Sequence, residues 1–222
     1  VNKMPGSPFP TLDGIIIADS NDCLVKNNTL YMEDFLTFPG LNNYLYGIDV
    51  WRVNSLTLDS NNIAILTTGG MLSAGTAYPI QITGPSKKIN ITNNDLYSIS
   101  NGPNIGIYSQ NYYGDTQLYI AHNKINVTGL AGNDSCALVA GIEVQDSNDT
   151  IEVHSVAEVK DNDNIYGISY SQSTKGNHTF VIKNNTVTSD AKYAISLISA
   201  ENSVIVDNLL ISTRKDAKAS YD

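Results

Sequence analysis

The sequence predicts an all-β fold, a single-stranded right-handed parallel β-helix (solenoid) of about seven coils. Three observations predict it. The phrase "CLVKNNTL" at 23–30 returns as "INITNNDL" at 89–96, "FVIKNNTV" at 180–187 and "VIVDNLLI" at 204–211. A second phrase with a central isoleucine precedes every copy. Gly, Pro and Asn interrupt the apolar stretches, so the period-two alternation has no helical competitor.

Aligned without gaps, the first phrase begins seven times, at Cys23, Leu56, Ile89, Leu118, Ile151, Phe180 and Val204. Its first and third positions are apolar in nearly every copy, as in Leu56/Leu58 and Ile89/Ile91, which describes a strand with one buried face. The eighth position is apolar in six copies (Leu30, Ile63, Leu96, Ile125, Val187, Ile211), and Glu158 is the exception. Asn occupies the fifth or sixth position in six of the seven. At a sharp corner the backbone enters the left-handed region, which Asn tolerates best among non-glycine residues. Asn27, Asn28, Asn93, Asn94, Asn184, Asn185 and Asn208 are therefore expected at corners, with His122 and Ser155 in equivalent places. Stacked amides there can bond the corner backbone and the neighbouring coil.

The second phrase runs "DGIII", "YGIDV", "YPIQI", "IGIYS", "AGIEV", "YGISY" and "YAISL", with Ile15, Ile48, Ile80, Ile107, Ile142, Ile168 and Ile195 at its centre. Each unit of about 30 residues thus holds two short strands at a fixed offset and a segment of variable length. Residues 1–12 read as a lead-in or cap, 13–213 as the β-helix domain, and 214–222 as a C-terminal tail or linker. "PGSPFP" at 5–10 suggests a module excised from a longer precursor.

A formal charge of −9, with acids scattered along the chain, disfavours nucleic acid and anionic membranes, because both require clustered Lys and Arg. No apolar run is long enough to span a bilayer. Cys23 and Cys136 are too few for a disulfide framework and read either as two buried free thiols or as a single bridge.

The repeated "V/I-x-N-N-x-I" and "Y-G-I" strands, with abundant Asn, Ser, Thr and Tyr and few Arg, resemble the adhesin-like β-helix surface proteins of methanogenic archaea. More broadly they resemble the pectin-lyase-like superfamily. The resemblance covers about 13 to 213. It implies a secreted or wall-attached module of a long protein that binds partner cells or glycans.

The residues that enzymes on this scaffold use are largely missing from the chain. Hydrolases of the superfamily use closely spaced Asp residues and lyases an Arg or Lys base beside a carboxylate cluster, and the chain has no adjacent Asp–Asp pair. Asp49 and Glu143 hold equivalent outward positions, but three coils apart, about 14 Å at the strand spacing and too far for a glycosidase pair. Arg52 could project from the first strand of the second coil. Asp146, Asp149, Asp161 and Asp163 offer hard oxygen ligands, so they read as solvated turns or as a calcium site; no other cofactor is expected. His122, His154 and His178 fall at non-equivalent positions and do not form a zinc set.

Tyrosine is the remaining clue, with 13 Tyr against 4 Phe and 1 Trp. Tyr108, Tyr112 and Tyr113 cluster around "IGIYSQNYYGD", where they either contact sugar or protein surfaces or stack on equivalents in adjacent coils. Seven N-x-S/T sequons occur, at Asn27, Asn90, Asn126, Asn133, Asn148, Asn177 and Asn184. Asn27 and Asn184, as corner residues, are expected to be inaccessible to glycosylation.

The expectation is a monomeric, non-catalytic, secreted or cell-surface adhesion module that presents loops to glycans or surface proteins of another cell. A polysaccharide lyase or glycoside hydrolase on the same scaffold and a structural stalk are the alternatives.

Overall fold

The structure, a computed structural model, describes residues 11–34, 43–67, 75–84, 86–100, 104–129, 139–160, 165–170, 179–183, 186–189, 193–197, 204–206 and 209–212, with side chains described chiefly up to residue 128. Among these residues the chain is all-β, without helix, and every strand pairing is parallel.

Strands that follow one another in the chain recur in three parallel ladders. The first joins β1 (Thr11–Ala18), β4 (Asn43–Trp51), β7 (Gly75–Thr83), the start of β10 (Asn104–Gly129), the start of β11 (Val139–Lys160), β12 (Ile165–Tyr170) and β15 (Tyr193–Leu197). The second joins β2 (Cys23–Lys26), β5 (Ser55–Asp59), β8 (Lys88–Thr92), the middles of β10 and β11, β13 (Thr179–Lys183) and β16 (Val204–Val206). The third joins β3 (Thr29–Asp34), β6 (Asn62–Thr67), β9 (Asp95–Ser100), the ends of β10 and β11, β14 (Thr186–Ser189) and β17 (Leu209–Ser212).

The repeated isoleucine sets the register of the first ladder. Ile15, Ile48, Ile80, Ile107, Ile142, Ile168 and Ile195 pair in one unbroken row. Ile48, Ile80 and Ile107 are fully buried, and the inward residues of the other ladders, Leu56, Leu58, Ile63, Ile65, Ile89, Ile91 and Leu96, join them in one core. Each such side chain stabilises the fold by about 1.5–3 kcal/mol. The glycine of the "YGI" phrase is a packing requirement at Gly47, where a Cβ would lie 2.5 Å from Pro79 O and 2.6 Å from Ile63 Cγ2.

The asparagine corner forms as expected in the first four copies, while Asn184, Asn185 and Asn208 lie outside the described residues. Asn27, Ser60, Asn93 and His122 all have left-handed φ, between 55° and 58°. The next residues, Asn28, Asn61, Asn94 and Asn123, form a side-chain ladder. Asn61 Oδ1 accepts from Asn28 N (3.1 Å) and Asn28 Nδ2 (3.0 Å), while Asn61 Nδ2 donates to Val25 O and to Asn94 Oδ1, both at 3.0 Å. Asn94 repeats the pattern towards Leu58 O and Asn123 Oδ1, and Asn123 donates to Ile91 O.

Three expectations need correction. In the fifth copy, Ala121 pairs with His154 but Lys124 pairs with Val156, so this corner is one residue shorter. Ala157 rather than Glu158 then pairs with Ile125, and Glu158 joins the row of Asn126 and Thr188. Because side chains alternate between faces, the ungapped alignment would have driven Glu158 into the core, and dropping one residue avoids burying its charge. In the seventh copy, Val181 pairs with Val204 and Val187 with Leu210, one residue off the ungapped alignment. Ile205 and Leu210 thereby continue the inward rows, whereas Val206 and Leu209 are exposed, at 38% and 56%. Arg52, expected on a strand, instead occupies a second left-handed corner, aligned with Asp19 and Gly84 (φ of 50°, 51° and 75° for Asp19, Arg52 and Gly84). Arg52 there bonds Asp19 Oδ2 at 2.7 Å and lies 5.2 Å from the Trp51 ring centre.

Asn27 is exposed, contrary to the expectation for its sequon, because its neighbour Asn28 carries the ladder. Cys23 is a half-buried free thiol, and Cys136 lies outside the described residues.

Candidate functional site

The outer face of the first ladder carries three of the buried side-chain oxygens that have no hydrogen-bond partner among the described residues, Asp49 Oδ1, Gln81 Oε1 and Thr83 Oγ1. On β4 and β7, Ile48, Val50, Ile80 and Ile82 are buried in the core, so Asp49, Trp51, Gln81 and Thr83 alternate to the other face. Cross-strand pairing places Ile16, Asp49, Gln81, Tyr108 and Glu143 in one row, with Trp51 and Thr83 in the next. Asp49 and Glu143 thus stand three strands apart, as the sequence requires. Asp13, Tyr46 and Tyr78 form a third row beside them.

The tyrosines are in continuous contact. Ring centres are separated by 6.2 Å between Tyr44 and Tyr46, 5.7 Å between Tyr46 and Tyr78, and 5.2 Å between Tyr78 and Tyr108, the last two pairs stacked. Both stacks fall in the range where aromatic pairs attract. Tyr108, one of the three tyrosines expected from sequence, is the fourth ring in this run of contacts, although it sits one row over, and is half-buried.

Beside the rings, Asp49 is only 5% exposed although it points away from the core. Burial pushes its carboxyl up to about 6, with a further push from the charge of Asp13, partly opposed by a hydrogen bond from the Val50 backbone. Burial also raises Asp13. The Tyr46 hydroxyl is raised by burial first and then by Tyr78, Asp49, Tyr44 and Asp13. These mutual effects place two carboxyls and three rings within one electrostatic neighbourhood. Asp49 Oδ1, Gln81 Oε1 and Thr83 Oγ1 are buried without a hydrogen-bond partner among the described residues. Buried acceptors left open are expensive in a fold.

The other expected site residues fall where side chains are not described. Tyr112 and Tyr113 lie on β10, at the register shift between Asn111 and Asp115, and their side chains are outside the description. Asp146 and Asp149 lie on β11, paired with Asn111 and Thr116, again without described side chains. Asp161 and Asp163 lie outside the described residues, as does His178. Among the described residues no three His, Cys, Asp or Glu side chains converge as a metal site would require. His122 is the exposed corner residue and His154 pairs with Ala121 on a strand.

Sequence reasoning missed Asp13, Tyr44, Tyr46 and Tyr78. The signal was present, since Tyr46 and Tyr78 open the "YGIDV" and "YPIQI" phrases and Asp13 opens "DGIII", all at one register position. Comparison of the chain with models of protein families, with curated proteins and with solved structures finds no match.

Proposed function

We propose that the chain is a right-handed parallel β-helix of about seven coils and serves as a non-catalytic, secreted or cell-surface binding module. Its partners are glycans or surface proteins of another cell, and the outer face of the first ladder is the contact surface. The observation that carries this reading is the row Tyr44, Tyr46, Tyr78 and Tyr108 running beside the open acceptors of Asp49, Gln81 and Thr83. Vicinal hydroxyls of a sugar are donors that suit such acceptors, and aromatic edges supply an apolar border.

A second reading, a glycoside hydrolase on the same face, is favoured by Asp13 and Asp49. Burial and the charge of Asp13 push the Asp49 carboxyl up to about 6, which is the environment of a general acid.

A glycan array separates these readings when it is run with wild type and Asp49→Asn beside a reducing-sugar assay on the same glycans. Saturable binding without product, weakened in the variant, supports the binding module. Product formation abolished by Asp49→Asn supports the hydrolase. Binding and turnover both unaffected by Asp49→Asn would remove this face from the function.

A further inference from the structure

Charge is sorted by ladder in this chain. The strands of the first ladder, Thr11–Ala18, Asn43–Trp51, Gly75–Thr83, 104–110, 139–144, Ile165–Tyr170 and Tyr193–Leu197, contain no Lys, Arg or His. Lys26, Lys88 and Lys183 fall on the second ladder, Lys124 and Lys160 on the third. The first ladder nevertheless carries the acids Asp13, Asp49 and Glu143.

The nearest cations are engaged elsewhere. Lys26 pairs with Asp59, Lys124 with Asp95, and Arg52, at the corner after the second strand of the ladder, with Asp19. Among the described residues no ion pair reaches Asp13 or Asp49. No positive charge acts on either carboxyl: burial raises Asp13, and burial and the charge of Asp13 raise Asp49. Two like charges thus share a face that holds no counterion.

The open atoms on this face ask for donors. Asp49 Oδ1 and Gln81 Oε1 can only accept, while Thr83 Oγ1 can do either. Asp49 and Gln81 are cross-strand neighbours, and Thr83 follows Gln81 on the same face about 7 Å along the strand. The rings of Tyr46, Tyr78 and Tyr108 border them, and an aromatic face attracts a cation within about 6 Å. A lysine tip carries its donors on one atom and would leave part of this row open. A sugar ring with an ammonium group also carries hydroxyl donors on neighbouring carbons, and so matches a row of spaced oxygens. The net charge of −9 attracts such a ligand from solution.

We propose that the outer face of the first ladder binds a glycan with free amino groups, the ammonium of an unacylated amino sugar sitting at Asp49 while ring hydroxyls donate to Gln81 and Thr83. This rests on the binding function proposed above and names the ligand class of the same face.

Calorimetric titration at neutral pH and physiological ionic strength tests it with oligosaccharides of glucosamine, N-acetylglucosamine and glucose of equal length and linkage. These differ in an ammonium, an acetamide or a hydroxyl at one ring carbon. The glucosamine oligomer is expected to bind most tightly and the other two about tenfold more weakly, because charge-assisted hydrogen bonds are the stronger kind. Asp49→Asn keeps an oxygen but removes the charge, and should bring the glucosamine oligomer down to the level of glucose. Gln81→Glu adds a carboxyl to the row and should widen the preference, a gain that a misfolded variant cannot give. Asp95→Asn removes an equal charge beside Lys124 and should leave the ranking unchanged. Equal affinity for the three sugars, weakened alike by Asp49→Asn, overturns the ammonium assignment and leaves the binding face standing. A loss on Asp95→Asn as large as on Asp49→Asn, a narrower preference in Gln81→Glu, or tighter binding of a lysine peptide also overturns it. So does absence of binding by the glucosamine oligomer, and the glycan array described above then decides the reading on which it rests.

Discussion

The asparagine corner and the outer face of the first ladder both bury polar side chains, and they treat them oppositely. At the corner, Asn61 and Asn94 use both amide hydrogens and accept two bonds on Oδ1. On the outer face, the buried Asp49 and the half-buried Gln81 and Thr83 keep open oxygens. Satisfied amides hold repeats in register, and unsatisfied buried acceptors cost the fold stability. The difference separates polar burial that stabilises the fold from polar burial that costs it, and the binding function proposed above is assigned to the second because departures from local consistency concentrate at functional sites.

Asn61→Ala should give the largest effect. It removes four hydrogen bonds at a residue 1% exposed, leaving Val25 O and the Asn28 N–H without these partners. At roughly 1–3 kcal/mol per orphaned group, the loss should be about 4 kcal/mol in urea unfolding. Asn28→Ala, at the half-exposed end of the same ladder, should lose about 1 kcal/mol. Equal losses would show that the ladder is not what distinguishes the corner.

Asp49→Asn should act in the other direction. The ordinary carboxyl titrates at 3.8 and Asp49 in the fold at about 6, so between these values the folded chain binds more protons than the unfolded one. Its contribution to stability is complete below 3.8 and is lost as pH rises through about 6. Two pH units correspond to on the order of 3 kcal/mol. The variant should therefore gain about 2 kcal/mol at neutral pH and flatten the pH profile of the melting temperature across this window, while losing partner binding. A profile unchanged by the substitution would mean that Asp49 has already found a partner.

Much of this contrast was legible in the sequence, but unevenly. The seven isoleucines and the corner asparagines are visible because one residue type serves one geometric demand in all or nearly all repeats. The aligned corner at Asp19, Arg52 and Gly84 left no such trace, because a left-handed exposed turn constrains φ and not side-chain chemistry. The shortened fifth corner was visible only as the misplaced Glu158, an error signal whose meaning depended on pairing. The tyrosine face was half legible, since Tyr108 was selected for its neighbours Tyr112 and Tyr113, while its described partners lie 30 and 62 residues away at Tyr78 and Tyr46. Burial of Asp49 at an outward position has no sequence signal, because alternation assigns it to solvent.

The smallest expected effect lies at the other corner, and it sharpens the comparison most. Arg52 bonds Asp19 with both side chains at least half exposed, an ion pair worth about 0–1 kcal/mol. Its contact with Trp51 adds about 0.5 kcal/mol. Against these stands a left-handed φ of 51°, which costs a non-glycine residue about 1 kcal/mol. The aligned residue one repeat later is Gly84, so the corner accepts glycine. Arg52→Gly removes the side-chain contacts and the backbone strain together, and urea unfolding should place it within about 0.5 kcal/mol of wild type. A loss approaching that of Asn61→Ala would mean that exposed side chains hold this corner as firmly as the buried amides hold the other, and burial would no longer explain the contrast.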